Sequence, residues 1–199
     1  MKVFISSGSP YARKCRIVVR EKNLLSQVEE IVTAPMDNLP DLLSANPLAQ
    51  IPAFVTDEGT ALSDSALICA YLDAHYTGGV TLMPQDERQW GVRRLEVLAN
   101  GIMEMAVKQV LELRRPQNER SATWLKRWQD NMLRAISVAE AHCPPADHFD
   151  MGSLTLAVAA TYTSFRFPDL DWQSAAPKLA ALTLEHEKRQ SFVDTYPKL

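Results

Sequence analysis

The stretch Val3-Phe4-Ile5-Ser6-Ser7-Gly8-Ser9-Pro10-Tyr11-Ala12-Arg13-Lys14 decides how this chain begins to fold. Val3-Phe4-Ile5 is a short apolar run that breaks into small and turn-forming residues, the pattern of a buried strand ending in a loop. A helix must follow at once. Ser9 is a good N-cap, and Pro10 suits the first helical position, where its missing N–H would have had no partner. Cys15, Val18 and Val19 then fall on one helical face, with Arg13, Arg16 and Arg20 turned elsewhere. Val28-Glu29-Glu30-Ile31-Val32 reads as a second strand, and so short a β-α-β unit implies that the two strands run parallel.

Further along, Leu39, Leu42 and Leu43 predict a short second helix. After Asn46-Pro47-Leu48-Ala49-Gln50-Ile51-Pro52 come Ala53-Phe54-Val55-Thr56, the turn Asp57-Glu58-Gly59 and Thr60-Ala61-Leu62, which together predict a hairpin. From Asp64 the pattern is helical, with Leu67, Ile68, Tyr71, Leu72 and His75 on one face, ending before Gly78-Gly79. These elements make a β-α-β-α-β-β-α thioredoxin-like α/β domain over residues 1–76, followed by a linker over 77–84 anchored by Leu82 and Met83. Residues 85–199 are helical in character, an all-α domain. Leu95, Leu98, Ile102 and Met105 mark a long helix from Gln85 to Arg114. Trp124, Leu125, Trp128, Met132, Leu133 and Ile136 mark a second, ended by Pro144-Pro145. Ser153 to Phe165 is apolar nearly all round and is expected to be the buried central helix, and Pro177 to Arg189 supplies one more.

Hydrophobic residues make up 46% of the chain and charged residues 23%, which fits a globular protein and neither a disordered nor a membrane class. The net charge is −3, with cations scattered among acids, so nucleic acid is not expected as a ligand. No stretch approaches the roughly 18 apolar residues of a membrane span, and Met1-Lys2-Val3-Phe4-Ile5 is too short for a signal peptide, so the expected compartment is cytoplasm. Cys15, Cys69 and Cys143 lack Cys-x-x-Cys spacing and read as reduced, mostly buried thiols. His75, His142, His148 and His186 lack ligand spacing, and no metal is assigned.

Three segments carry possible chemistry. A helix N-terminus favours negative charge through its free N–H groups and its dipole, and Ser9 sits at one. A thiolate beside that hydroxyl would gain a hydrogen bond and the field of the helix. Ile51-Pro52, just before a strand, is a candidate cis peptide that would leave the preceding backbone exposed to pair with an extended peptide. Asp64-Ser65 opens another helix and offers N–H groups and a hydroxyl to a carboxylate. Taken singly, each is more often an ordinary turn or cap.

Taken together, Ser9-Pro10-Tyr11-Ala12-Arg13-Lys14, Asn46-Pro47-Leu48-Ala49-Gln50-Ile51-Pro52 and Asp64-Ser65 resemble, in order and spacing, the N-terminal half of the glutathione transferase superfamily. The resemblance continues through Ser153-Leu154-Thr155-Leu156-Ala157 to Arg189-Gln190-Ser191-Phe192-Val193-Asp194-Thr195-Tyr196-Pro197, similar to the family's tail. The Ser-Pro arrangement is nearest to bacterial and plant serine-type members. The resemblance implies that Ser9 activates the thiol of glutathione as co-substrate, that Ile51 pairs its backbone with the cysteinyl part, and that Pro52 is the cis proline. It implies that Asp64 and Ser65 hold the γ-glutamyl end and that Gln50 lies near the glycyl carboxylate. Ala49 stands where Gly is usual, Asp64 where Glu is commoner, and Leu156 where many members carry the acid of a helix capping box.

The expected activity is conjugation of the glutathione thiolate to a small hydrophobic electrophile by a homodimeric enzyme, with Glu104 or Asn100 approaching the partner's bound glutathione. Met103, Glu104, Met105, Val107 and Arg114 either line the electrophile pocket or pack the helix. Glutathione-dependent disulfide or peroxide reduction and a non-catalytic interaction protein are the alternatives. The lack of cysteine at positions 9 and 12 speaks against a protein dithiol mechanism.

Overall fold

Strand β1 (Lys2–Ile5) forms where the apolar run stands and ends where Ser6 begins the loop. The computed structural model describes residues 1–198 and divides into two compact units, residues 1–83 joined by the tail from Arg189 onward, and Pro84–Lys188. In the first unit, β1 is followed by α1 (Pro10–Glu21), β2 (Glu29–Val32), a single 3-10 turn at Pro35–Asp37 and α2 (Pro40–Ala45). Then come β3 (Ala53–Val55), β4 (Ala61–Ser63) and α3 (Ser65–His75). The sheet order is β2-β1-β3-β4. The parallel pairing of β1 with β2 and the β3–β4 hairpin agree with the sequence reading.

Side chains of a strand alternate between faces, and β1 uses both. Phe4 packs with Leu42, Ala45 and Ala53, and with the partly buried Ile31, Ile51 and Val55, which seats α2 on that face. Helices α1 and α3 pack against one another, burying Cys15, Val18, Val19, Ile68, Cys69 and Leu72. Leu67, expected on the buried face of α3, is 53% exposed. Ile68 and Leu72 define the buried stripe, while Tyr71 and His75 stack on one another at 4.1 Å. Past α3, Gly79 has φ +71, and a Cβ there would lie 1.8 Å from the Glu21 carbonyl oxygen, so only glycine lets the chain cross the end of α1.

The second unit contains α4 (Gln89–Leu113), α5 (Ala122–Ala141), α6 (Met151–Arg166) and α7 (Pro177–His186), with a short 3-10 turn at Gln117–Glu119. Helix α6 is the central element, buried from Met151 through Thr163 and packed on α4 and α7. Its start is stabilised by a capping box formed by Asp150 and Ser153: the Asp150 side chain accepts from the Ser153 N–H at 2.8 Å, and the Ser153 hydroxyl accepts from the Asp150 N–H at 2.9 Å. These residues meet the need left by Leu156.

The sequence reading places the helical half at residues 85–199, and the compact second unit of the structure spans Pro84–Lys188. The chain leaves the second unit at Lys188, and α8 (Gln190–Val193) packs on α1. Arg189 and the Ser191 hydroxyl both donate to the Glu21 carboxylate, which draws the tail to the end of α1.

Candidate functional site

Strand register brings the three sequence-predicted segments to one end of the sheet. Phe4 pairs with Ala53 and Ala53 with Ser63, so the loop after β1, the residues before β3 and those after β4 share that end. Ser9, Ile51-Pro52 and Asp64-Ser65 occupy those three positions.

Ser9 is the N-cap of α1, with Pro10 in the first turn, and its hydroxyl accepts from the Ala12 N–H at 3.2 Å. Accepting that bond leaves the hydroxyl proton available, and it has no acceptor among the described residues. The cap and donor readings are therefore compatible. The loop is tied at two further points: the Ser9 N–H donates to the Ser6 carbonyl, and the Lys198 N–H to the Ser7 carbonyl. Arg13, one turn into α1 and off the Cys15, Val18 and Val19 face in the sequence reading, is 2% exposed. Its guanidinium donates to the Phe192 carbonyl at 3.1 Å and lies over the rings of Phe192 and Tyr196. Sequence reasoning missed that the tail holds α1, because the partners stand 179 residues apart.

The Ile51–Pro52 peptide is cis, and Ile51 lies just outside the β3 ladder. The loop leading to it is clasped by Asn46, another residue for which the sequence reading gave no role. The buried Asn46 side chain accepts from the Leu48 N–H at 3.1 Å and donates to the Gln50 carbonyl at 2.9 Å. Its signal in the sequence is the Asn-Pro pair, which favours an Asx turn. Gln50 itself is exposed. Ala49 sits at φ +52, the left-handed region in which glycine is at ease. Relief of that strain is worth about 1–2 kcal/mol, against about 0.5–1 kcal/mol of added unfolded-state freedom. Ala49→Gly is therefore expected to raise stability by about 0.5–1 kcal/mol, read as a higher urea midpoint at constant slope; an unchanged or lower midpoint would contradict it.

Asp64 caps α3, its Oδ1 accepting from the Ala66 N–H at 2.7 Å and the Leu67 N–H at 3.4 Å. Its Oδ2 has no partner among the described residues, and the side chain is exposed. Ser65, the first residue of α3, is buried. Two of the protein's thiols, Cys15 and Cys143, are poor nucleophiles here. Burial, with help from Cys69 at 3.7 Å sulfur to sulfur, raises the Cys15 thiol well above its ordinary value, and burial pushes Cys143 up to about 11. Met103, weighed as a pocket residue, is fully buried in its own unit, and Glu104 pairs with Lys108.

The glutathione S-transferase N-terminal domain family model matches residues 8–75, and the C-terminal domain model matches residues 122–182. A glutathione transferase family member from Pseudomonas fluorescens Pf-5, solved with bound glutathione, is 35% identical over 100% of this chain and 99% of its own, with a TM-score of 0.93. A structure of a family member from the same organism with bound S-(propanoic acid)-glutathione is 34% identical over 100% of both chains, with a TM-score of 0.89. The uncharacterised GST-like protein YibF of Escherichia coli K12 is 29% identical over 99% of this chain and 98% of its own. The chain belongs to the glutathione transferase superfamily. Among the described residues no helix is long and apolar enough to cross a membrane, and no group of three metal-ligating side chains gathers.

Proposed function

We propose that this protein is a cytoplasmic glutathione transferase, active as a homodimer, that stabilises the glutathione thiolate and delivers it to a small electrophile. The observation that carries this reading is the Ser9 hydroxyl, which caps α1 while its proton has no acceptor among the described residues. That proton is the donor to sulfur, and the start of α1 adds the field of its dipole. Residues 1–83 and the tail form the glutathione-binding unit. The Ile51 backbone, outside its ladder, takes the cysteinyl part as an added strand, Asp64 and Ser65 hold the γ-glutamyl end, and Gln50 serves the glycyl carboxylate. Glutathione supplies the thiol, and the protein supplies its acidity and orientation. Glutathione bound in two family members that are 35% and 31% identical to this chain supports the same ligand here.

The test is retention on immobilised glutathione together with turnover of a nitro-activated aryl chloride. Retention with chloride release above the uncatalysed rate is expected. Retention without turnover would make this a binding protein, reduction of a mixed disulfide alone would make it a reductase, and failure to be retained would remove the reading. Sedimentation at micromolar concentration should give a species of twice the 22.3 kDa chain mass; a monomer would contradict the dimer.

A further inference from the structure

Two cysteines meet inside the first unit, between the helices whose starts carry the candidate site. Cys15 stands on α1, whose N-cap is Ser9, and Cys69 on α3, whose N-cap is Asp64. Both are free thiols, both are fully buried where α1 packs on α3, and their sulfurs lie 3.7 Å apart. The Cys15 thiol donates to the Ser65 carbonyl, with sulfur and oxygen 3.9 Å apart. A thiol has one proton to give, so the contact between the sulfurs is made by the Cys69 S–H. The order of donation is therefore Cys69 to Cys15 to Ser65, and it ends on the backbone of a residue proposed to hold the γ-glutamyl end. A buried cysteine that serves only as apolar filler needs no such partner. Two of them with sulfurs in contact, one bonded to a site residue, are also placed to react with each other.

We propose that Cys15 and Cys69 form a disulfide on exposure to a hydroperoxide, and that this bond disables the glutathione site. The second half of the inference rests on the proposed glutathione-binding function. In the first step one thiolate attacks hydrogen peroxide: an S–O bond forms, the O–O bond breaks, and hydroxide leaves and takes up a proton. The other sulfur then attacks the first, so that the S–S bond forms, the S–O bond breaks and the oxygen leaves as water. The two thiols lose two electrons and two protons, and the peroxide is reduced to two waters. Two molecules of glutathione reverse the reaction and leave as glutathione disulfide. Burial keeps the sulfurs covered and the thiolate scarce, so oxidation waits on local opening of α3 from α1 and is slow. Once formed, the bond removes both thiol protons, and the Ser65 carbonyl loses its Cys15 donor. Drawing the sulfurs together also shifts α1 against α3, and a close-packed interior carries that displacement to the helix starts that hold Ser9, Asp64 and Ser65.

The test is made on the full-length protein, reduced and then exposed to hydrogen peroxide. Thiols titrated after denaturation are expected to fall from three to one, and peptide mapping should find Cys15 joined to Cys69 with the loss of two hydrogens. Binding is read by calorimetry with S-methylglutathione, which has no thiol to reduce the bond. The oxidised protein should bind it at least about tenfold more weakly than the reduced protein, and dithiothreitol should restore the affinity. Cys69→Ala should bind S-methylglutathione equally before and after peroxide, which separates the disulfide from oxidation of Cys143 or of methionine. Reversal by dithiothreitol, which leaves methionine sulfoxide untouched, keeps the test valid on the wild type alone if Cys69→Ala fails to fold. Three titrating thiols after peroxide, or mapping that leaves Cys15 and Cys69 unlinked, would overturn the proposal. A Cys15–Cys69 bond with unchanged affinity would overturn its coupling to the site. A reduced protein that binds no S-methylglutathione would remove the transferase reading, and the mapping would still decide the disulfide.

Discussion

Asp73→Ala is expected to cost the first unit roughly 3–5 kcal/mol of stability, because it removes one member of a buried ion pair. The Asp73 and Lys22 side chains are 4% and 2% exposed, with Nζ 3.1 Å from Oδ1. The carboxylate also accepts from the Leu82 N–H at 3.0 Å and the Met83 N–H at 2.8 Å, so it joins the end of α1, the last turn of α3 and the segment that leaves this unit. Without it, an ammonium group held only by the Val80 carbonyl at 3.2 Å and two amides are left buried. Urea unfolding of wild type and variant measures the difference. Pairing Asp73→Leu with Lys22→Met should recover part of the loss, since the uncompensated charge is then gone. A loss under about 1 kcal/mol for Asp73→Ala would mean that water reaches the pair.

Ser9→Ala is expected to lower kcat/KM for conjugation roughly 10- to 150-fold, the equivalent of the 1.5–3 kcal/mol carried by a hydrogen bond to a charged partner. The same change removes the acceptor of the Ala12 N–H and should cost about 1 kcal/mol of folding stability. The two effects separate cleanly. Ser9→Thr keeps both the cap and the donor, so it should retain most of the activity, whereas Ser9→Cys places a protein thiol at the helix start and should shift the chemistry toward mixed disulfides. A Ser9→Ala enzyme with wild-type turnover and only the stability loss would reduce Ser9 to a cap.

Much of the first unit was legible because its signals are local. The apolar run before Ser6, Ser9 followed by Pro10, and the turn at Asp57-Glu58-Gly59 each specify an element within a few residues, and the register then follows from short connections. Leu67 was misplaced because α3 is apolar at 67, 68, 69 and 72, too many positions for periodicity to choose one stripe. The role of the tail was invisible for a different reason. Arg13 is buried by Phe192 and Tyr196, and nothing near Arg13 in the sequence announces partners from the far end of the chain. Asp73 reads as a polar residue near a helix end, and only the fold brings Lys22 and the 82–83 amides to it. At the site, the capping residues Ser9 and Asp64 were readable, while the Asn46 clasp required knowing which carbonyl its amide reaches.

The central claim is that the Ser9 hydroxyl and the start of α1 stabilise a thiolate. It is tested most directly by the ultraviolet thiolate absorbance of bound glutathione against pH in wild type and Ser9→Ala. A cysteine thiol titrates near 8.5 when free, and the account predicts a value about one to two units lower in the wild-type complex. In Ser9→Ala the curve should move back up by about one unit, because the hydrogen bond is lost while the helix end remains. Superimposable curves would contradict the account and pass the thiol-activating role to Ser6, Ser7 or the backbone alone.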